Sequence, residues 1–344
     1  MDYTELLTKT QAEIDERFTP KKERSQYLAQ VYDLLQLNNK ADLVRGCGTF
    51  LEWHISDVRS KLVHANFCKD RLCPSCTWRR SLKAFHHVSR CLDYMESEHY
   101  QYLFLTLTLK NCSDSDLVKT IDLLNSAKRT LFQRPKVKKF LQGAFCTLEI
   151  TRNWKTGEWH PHLHCLLAVR SDYFKKFYVK HSEWCQFWRS SAKLDYLPVV
   201  DIRRVKSADF EQIKADLDMK AIATKKAVRE VSKYAVKDSQ YLTGDLDLDK
   251  HLVSLLSAAL KKRRFISYSG CFEKARQALK LDDSENGDLV HLDDQLRPEM
   301  LVAIVRYHWV GGLYVRRVFA QQITPFDDSP PIRVNTGFVI ERGA

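Results

Sequence analysis

The chain has 344 residues, 44% hydrophobic and 28% charged, which is ordinary for a folded protein long enough to bury a core. Its 55 Lys and Arg outnumber its 43 Asp and Glu, and the net charge of +12 favours a polyanionic partner, nucleic acid before an anionic membrane. The sequence contains no secretory signal pattern and no apolar run of about 18 residues, which argues against export and membrane insertion. Its ten cysteines are scattered, so we expect reduced thiols in a cytoplasmic protein.

Residues 1–40 are predicted to form a helical arm. Apolar residues recur at helical spacing from Leu6 to Phe18, and again from Tyr27 to Leu35 after a break at Thr19-Pro20. We assign no chemistry to this arm.

Residues 41–98 are predicted to form a zinc-binding module followed by a basic helix. Four cysteines, one pair of them in a Cys-x-x-Cys motif, would give the tetrahedral thiolate set of a structural Zn²⁺ site: Cys47, Cys68, Cys73 and Cys76. His54 and His64 are alternative ligands. A redox-active Cys-x-x-Cys is the competing interpretation, but such motifs follow a strand in a βαβ unit, which is not evident here.

Two clusters of basic residues are candidate DNA contacts. One follows the cysteines and combines an indole for base stacking with cations for phosphates: Trp78, Arg79, Arg80 and Lys83. The other lies before an aromatic segment: Lys261, Lys262, Arg263 and Arg264. A solvated charged surface is the alternative for both clusters. The acidic stretch 281–297 is predicted to be a linker.

The segment 159–167 has histidines at alternate positions, His160, His162 and His164. Because side chains alternate along a β-strand, all three imidazoles would lie on one face, with Leu163 and Cys165 on the apolar face. Imidazole is the commonest protein metal ligand, so the pattern predicts a metal site. A half-buried strand with solvent-facing histidines is the alternative.

A second strand, 144–151, leads through a turn into the histidine strand and predicts a β-hairpin. With the centre of the turn between Lys155 and Thr156, Glu149 lies directly across from His162. Glu149, His162 and His164 are therefore the expected ligands, with His160 in reserve. A carboxylate with imidazoles and open coordination positions suits catalytic Mg²⁺ or Mn²⁺ better than structural zinc.

A helix predicted at residues 225–237 places Glu230, Tyr234 and Lys237 at positions i, i+4 and i+7 of one face. A tyrosine hydroxyl can serve as a nucleophile, and a carboxylate one turn away can activate water. Judged from this helix alone, an ordinary surface helix is the better interpretation. Tyr241 is the competing nucleophile.

Three segments in this order resemble the rolling-circle plasmid replication initiators of the HUH endonuclease superfamily. Residues 104–108 resemble the first family motif, residues 160–167 the metal motif, and residues 230–238 the catalytic motif with one tyrosine and one glutamate. The cysteine segment 68–76 is also similar. Gln240 departs from the acidic residue that such motifs often have before a second tyrosine.

The resemblance implies an α+β fold. Its core would be a central antiparallel sheet, ferredoxin- or RRM-like, with helices on one face, an added four-cysteine zinc module, and helical and β extensions. The endonuclease domain would span residues 99–245, and residues 246–344 would form a C-terminal DNA-binding or interaction region. Within that region, the residue pattern of 307–315 by itself predicts a two-stranded hairpin.

The resemblance also implies a metal-dependent, site-specific endonuclease and strand transferase. A metal held by His162 and His164 would polarise the scissile phosphate. Tyr234 would attack it, leaving a 5′-phosphotyrosine and a free 3′-OH that primes replication. Glu230 would activate water or a strand hydroxyl at termination, and Lys237 or Lys233 would stabilise phosphate charge.

The implied partners are single-stranded or hairpin origin DNA, a host helicase and the replicative polymerase; the sequence specifies no oligomeric state. A related transposase or relaxase with the same chemistry is the nearest alternative function. A zinc-dependent DNA-binding repressor without catalysis is the alternative from another class.

Overall fold

The computed structural model describes residues 3–56, 59–205, 232, 236–292 and 301–320. Within these ranges the chain forms two compact units. The first contains the described residues of 1–79, 242–250 and 289–344, and the second those of 80–241 and 251–288. Among the described residues, no helix combines the length and apolarity needed to cross a membrane.

The described helices and strands, in chain order, are as follows. The helices are α1 (Tyr3–Glu13), α2 (Thr19–Leu34), α3 (Asn38–Gly46), α4 (Pro74–Tyr94), α5 (Leu117–Gln133), α6 (Pro135–Lys138), α7 (His181–Ser191), α8 (Leu246–Ala259) and α9 (Cys271–Ala278). The strands are β1 (Phe50–Ser56), β2 (Ser60–Ala65), β3 (Gln101–Thr108), β4 (Leu141–Arg152), β5 (Trp159–Val169), β6 (Val200–Val205), β7 (Ile266–Gly270), β8 (Leu301–Val310) and β9 (Leu313–Ala320).

The first unit is built on a four-stranded antiparallel sheet in the order β2-β1-β8-β9. The predicted helical arm packs its buried residues Leu6 and Phe18 against the buried Trp53 and Val305 of this sheet. The predicted C-terminal hairpin is confirmed, since Val310 of β8 pairs with Leu313 of β9. The two residues between these strands, Gly311 and Gly312, both have positive φ, which allows a tight two-residue turn.

The second unit is built on a five-stranded antiparallel sheet in the order β6-β3-β5-β4-β7. The predicted α+β class with a central antiparallel sheet is confirmed. Strand β5, the histidine strand, lies at the centre, and ten of its eleven residues are buried. A strand buried on both faces requires cover from both sides.

Helices accordingly lie on both faces of this sheet, whereas the resemblance implied helices on one face. Helices α4 and α9 pack against the face that carries Phe104, Phe145 and Leu166. On the opposite face, Lys128 of α5 donates a 2.8 Å hydrogen bond to Ser267, the partner of Cys146 in the β4–β7 pairing.

The compact units differ from the four predicted segments. Strands β1 and β8, about 250 positions apart in the sequence, pair residue by residue from Phe50↔His308 to Ile55↔Ala303. The predicted zinc module and part of the predicted C-terminal region therefore build one sheet.

Candidate metal centres

Strands β4 and β5 bring Glu149, His162 and His164 together on one face of the second sheet. The register is the predicted one, with Glu149 opposite His162. Oε2 of Glu149 lies 3.0 Å from Nε2 of His164 and 3.4 Å from Nε2 of His162. All three residues are at most 9% exposed. We call these three residues the triad.

Hydrogen bonds orient both imidazoles of the triad toward the carboxylate. Nδ1 of His162 lies 3.0 Å from the carbonyl oxygen of His160, so that nitrogen donates and Nε2 keeps its lone pair. Nδ1 of His164 lies 3.3 Å from the hydroxyl of Thr106. One donor atom from each triad residue lies within 4.8 Å of the others, and the set could hold a metal ion. Two neutral nitrogens and one carboxylate suit a divalent cation with open positions.

His160 lies next to the triad but is not one of the clustered donors. Its Nδ1 is 2.9 Å from Oδ1 of Asn111. Burial, together with the neighbouring His162, lowers the pKa of His160, which favours the neutral ring. Its role as a reserve ligand stays a prediction.

The predicted catalytic helix is described only in part. Glu230 and Tyr234 lie outside the described residues. Lys237 is described, and its Nζ lies 3.6 Å from Oε1 of Glu149, with about half of the side chain exposed (54%). Tyr241, the competing nucleophile, is fully buried, which argues against attack by its hydroxyl on a DNA strand.

The second candidate centre consists of Cys47, Cys68, Cys73 and Cys76 in the first unit. Sγ of Cys47 lies 3.5 Å from Sγ of Cys76 and 3.5 Å from Sγ of Cys73, and the Cys68–Cys76 distance is 3.7 Å. Bonds of about 2.3 Å from zinc to sulfur in a tetrahedron place the sulfurs about 3.8 Å apart. A disulfide would need about 2.05 Å. The sulfur positions therefore fit one tetrahedral ion, and the cluster could hold a metal.

Backbone and side-chain donors surround these sulfurs. The N–H of Lys69 donates to Cys76 at 3.2 Å, and the N–H of Cys68 donates to Cys47 at 3.4 Å. Lys69 has a φ of 61°, a left-handed conformation that turns the chain at this point. Such donors orient ligands and stabilise thiolates.

Two residues beside the cluster, Ser25 and Lys22, were not predicted from the sequence. The hydroxyl of Ser25 lies 3.4 Å from Sγ of Cys73. Lys22 is fully buried and donates to the carbonyl oxygens of Arg45 and Cys47, both at 2.7 Å. Burial lowers the pKa of Lys22, and the nearby cysteine thiolates oppose this shift. Both residues lie on α2, and no local pattern there indicated a buried role.

The sequence is similar to that of a known protein family. The model of a family described as replication protein (Rep) matches residues 59–314. The chain belongs to this family. The family predicted from the motifs, that of the rolling-circle plasmid replication initiators, is thereby confirmed.

Relatives from several bacteria match most of the chain. A protein named "Protein rep" from Bacillus amyloliquefaciens is 38% identical over 309 residues, covering 86% of this chain and 91% of the relative. Another "Protein rep", from Streptococcus pneumoniae serotype 2, is 36% identical over 297 residues, covering 84% of this chain and 88% of the relative. No solved structure matches the chain.

In this Rep family member, the basic residues after the four cysteines do not form the expected solvent-facing patch. Arg79 is 4% exposed and donates to the carbonyl oxygens of Leu289 and Val290, both at 2.8 Å. Trp78 is half-buried, with its ring 4.9 Å from that of Phe18. Exposed side chains were expected at both positions, and that expectation was wrong.

Arg80 and Lys83 are buried too, each 1% exposed. Arg80 donates to the carbonyl oxygen of Glu285 at 2.7 Å, and Lys83 forms an ion pair with Asp282. The predicted acidic linker thus packs, at residues 282–285, against the predicted basic helix. These cations stabilise the fold and are not available to a phosphate backbone.

The second basic cluster is mostly exposed. Lys261, Lys262 and Arg264 are exposed, and Arg264 lies 3.2 Å from Asp283. Arg263 binds Asp122 of α5 through two nitrogens, each at 2.8 Å. This cluster remains a candidate contact for DNA.

A polar cluster missed from the sequence anchors the beginning of the histidine strand. Asp114 accepts hydrogen bonds from the indole of Trp159 at 2.7 Å and from His251 at 2.6 Å. Arg152, the hairpin partner of Trp159, lies 3.3 Å from the same carboxylate. Asp114 begins a short 3-10 helix, Asp114–Asp116, in a polar segment with no pattern that predicts this role.

Proposed function

We propose that this protein initiates plasmid rolling-circle replication by nicking single-stranded origin DNA at the triad. The supporting observation is the buried Glu149, His162 and His164 set, held by an antiparallel hairpin of a Rep family chain. A rigid sheet is suited to hold ligands in productive geometry.

Tyr234 is the proposed nucleophile. Its hydroxyl oxygen bonds to the scissile phosphorus, the P–O3′ bond breaks, and the phenolic proton is lost while the departing 3′ oxygen ends as a hydroxyl. The products are a 5′-phosphotyrosine and a 3′-OH that primes synthesis. A divalent ion held by the triad, Mg²⁺ or Mn²⁺, would supply Lewis acidity at the phosphate. Lys237 would add positive charge beside Glu149.

Glu230 is the proposed base for the closing step. In the helix predicted from the sequence it would stand one turn before Tyr234, where its carboxylate could take a proton from water or from a strand's 3′-hydroxyl. Attack by that oxygen on the phosphotyrosine releases the tyrosine, which either frees or rejoins the strand. This step makes the protein a strand transferase as well as an endonuclease.

The other proposed components follow from the same role. Zn²⁺ at the four cysteines is structural, because four thiolates leave no open coordination position. The protein acts in the cytoplasm on a hairpin-bearing origin, and a host helicase and the replicative polymerase use the exposed 3′-OH.

The direct test incubates the protein with Mn²⁺ and an oligonucleotide that contains the nick site. A label at its 5′ end follows the shortened strand, and a second label at its 3′ end follows the covalent adduct. Wild type is expected to form a covalent protein–DNA adduct and a shortened strand with a 3′-OH. Tyr234→Phe should form none, whereas the matched variant Tyr241→Phe should retain the reaction if it folds. An adduct with Tyr234→Phe would identify another nucleophile. Absence of any adduct with Mn²⁺ or Mg²⁺ would favour the repressor alternative.

Metal ligation is tested by substituting triad residues on the hairpin formed by β4 and β5. Glu149→Gln and His164→Ala should raise the Mn²⁺ concentration needed for half-maximal nicking by at least about tenfold, as expected for lost ligands. His160→Ala, on the same face of the same strand, should raise it much less. Equal effects at His160 and His164 would contradict the assigned ligand set.

A further inference from the structure

A large groove lies between helix α5 and the edge strand β7 in the second unit. Its volume is about 1090 Å³. It is lined by Cys146 of β4, by residues of α5, and by Ser267 and Ser269 of β7. This volume exceeds the range of about 300–1000 Å³ typical of small-molecule pockets. The groove therefore has room for a segment of a polymer.

The lining of the groove is strongly basic. Five cationic side chains line it, against one carboxylate, that of Asp122: Lys128, Arg129, Lys138, Arg263 and Arg264. Asp122 is held by Arg263 through two hydrogen bonds of 2.8 Å. Arg264 also lies 3.2 Å from Asp283, a carboxylate outside the lining. With that carboxylate counted, the groove keeps an excess of three positive charges, which selects an anionic ligand.

The cations come from three parts of the chain: helix α5, helix α6 and the segment directly before β7. Lys128 reaches across to donate to Ser267 at 2.8 Å, joining the two walls. Arg129, Lys138 and Arg264 are exposed. Cations spaced along a channel can follow successive phosphates of one strand, whereas a single phosphate would need only a local cluster.

The remaining lining groups suit unpaired bases. Phe132 is half-buried in the wall and offers an aromatic surface. Asn125, Gln133 and Gln142 add amide donors and acceptors. A basic groove with an aromatic side chain is the general design of single-strand binding sites, since stacking on the ring requires a base that is free of its partner.

The groove is separate from the triad. Cys146 and Glu149 are three residues apart on β4, so their side chains point to opposite faces of the sheet. A strand in the groove would therefore contact the second unit at a place other than the nick site. Binding there would add affinity without occupying the catalytic face.

We infer that this groove binds a segment of single-stranded DNA outside the nick site, as a second contact for the same strand. The inference takes its ligand class from the proposed function. Its test measures binding alone, in Tyr234→Phe protein without divalent metal, so a failure of the nicking proposal is distinguishable from a failure of this one.

The experiment compares two charge-reversal pairs with the same change in net charge. The groove pair is Arg129→Glu with Lys138→Glu. The control pair is Lys119→Glu with Lys139→Glu, two lysines outside the groove lining, one on α5 and one directly after α6. All four side chains are exposed, so folding should be preserved, which a thermal melt checks. The probe is a fluorescent 20-nucleotide oligothymidylate, with a hairpin duplex for comparison.

The groove pair is expected to weaken binding of the oligothymidylate at least tenfold, and the control pair less than threefold. Loss of two phosphate contacts should also lower the slope of log affinity against log salt by about 1.4. Equal weakening by both pairs, or weakening for the duplex alone, would overturn the inference.

Ultraviolet cross-linking gives an independent measurement on protein with intact groove residues. With a bromouracil-substituted oligonucleotide, adducts are expected within residues 122–146 or 263–270. Adducts confined to other peptides would place the strand elsewhere and overturn the inference.

Discussion

Removal of metal from the four-cysteine cluster is the most direct test of whether a metal ion stabilises the first unit. The change is either chelation or Cys73→Ser, which removes a fully buried sulfur that lies 3.5 Å from Sγ of Cys47. We expect both to lower the free energy of unfolding of this unit, because the four cysteines join the end of α3, the loop after β2 and the start of α4.

The size of the effect follows from the sulfur spacing. Two thiolate charges 3.5 Å apart repel by about 5 kcal/mol at an effective dielectric constant of 20. Without a cation the cluster must therefore take up protons or open. Structural zinc sites bind with about 10–16 kcal/mol, and an ion present at a thousand times its dissociation constant stabilises by about 4 kcal/mol. A loss of at least about 4 kcal/mol is the expected result.

Two measurements check this prediction: metal content by mass spectrometry, expected at one zinc per chain, and urea unfolding followed by circular dichroism with and without chelator. Cys185→Ser is the matched control, since Cys185 is 5% exposed and lies outside the cluster. It should keep its zinc. Wild-type protein that holds no zinc, and whose urea midpoint is unchanged by chelator, would refute the argument.

Three further predictions concern the second unit. Burial lowers the pKa of His87 to about 4, below the usual 6.5, so the unfolded chain takes up the proton first as the pH falls. Stability should therefore drop by about 3 kcal/mol between pH 6.5 and 4, and His87→Gln should remove that part of the pH dependence of urea unfolding. Lys237→Gln removes the cation 3.6 Å from Glu149 and should slow adduct formation about tenfold; an unchanged rate would contradict the role of Lys237. Gly270 has a φ of 57°, and an added Cβ would lie 2.1 Å from the carbonyl oxygen of Gln142, so Gly270→Ala should cost at least about 2 kcal/mol in thermal unfolding. A melting temperature equal to that of wild type would exclude this close approach.

The sequence determined the triad to a large extent because β-strand geometry is local. Alternation along β5 places His162 and His164 on one face, and the short turn sets the register that brings Glu149 opposite His162. Both features depend on residues fewer than twenty positions apart. The four cysteines were also recognisable from the sequence as a metal site, since the spacing of cysteines along the chain is a local signature of such a site.

Only the tertiary structure decided which charged side chains are available to a partner. Helical periodicity places Arg80 and Lys83 on a helix, but it does not say what covers them. Their partners, Glu285 and Asp282, lie about 200 positions later in the chain. A buried cation is tolerated when a carbonyl or carboxylate accepts its hydrogen bonds, and that requirement leaves no trace near the cation itself.

Individual helices and strands were likewise predictable from the sequence, whereas the way they pack together was not. Alternating and helical patterns identified the N-terminal helices, the β4–β5 hairpin that carries the triad and the C-terminal hairpin individually. The pairing of β1 with β8, and the groove between α5 and β7, join segments about 250 and 140 positions apart. Side-chain period determines which face of an element is buried, because it is a property of neighbouring residues. The element that covers that face is chosen by packing of the whole chain, and it was evident only from the tertiary structure.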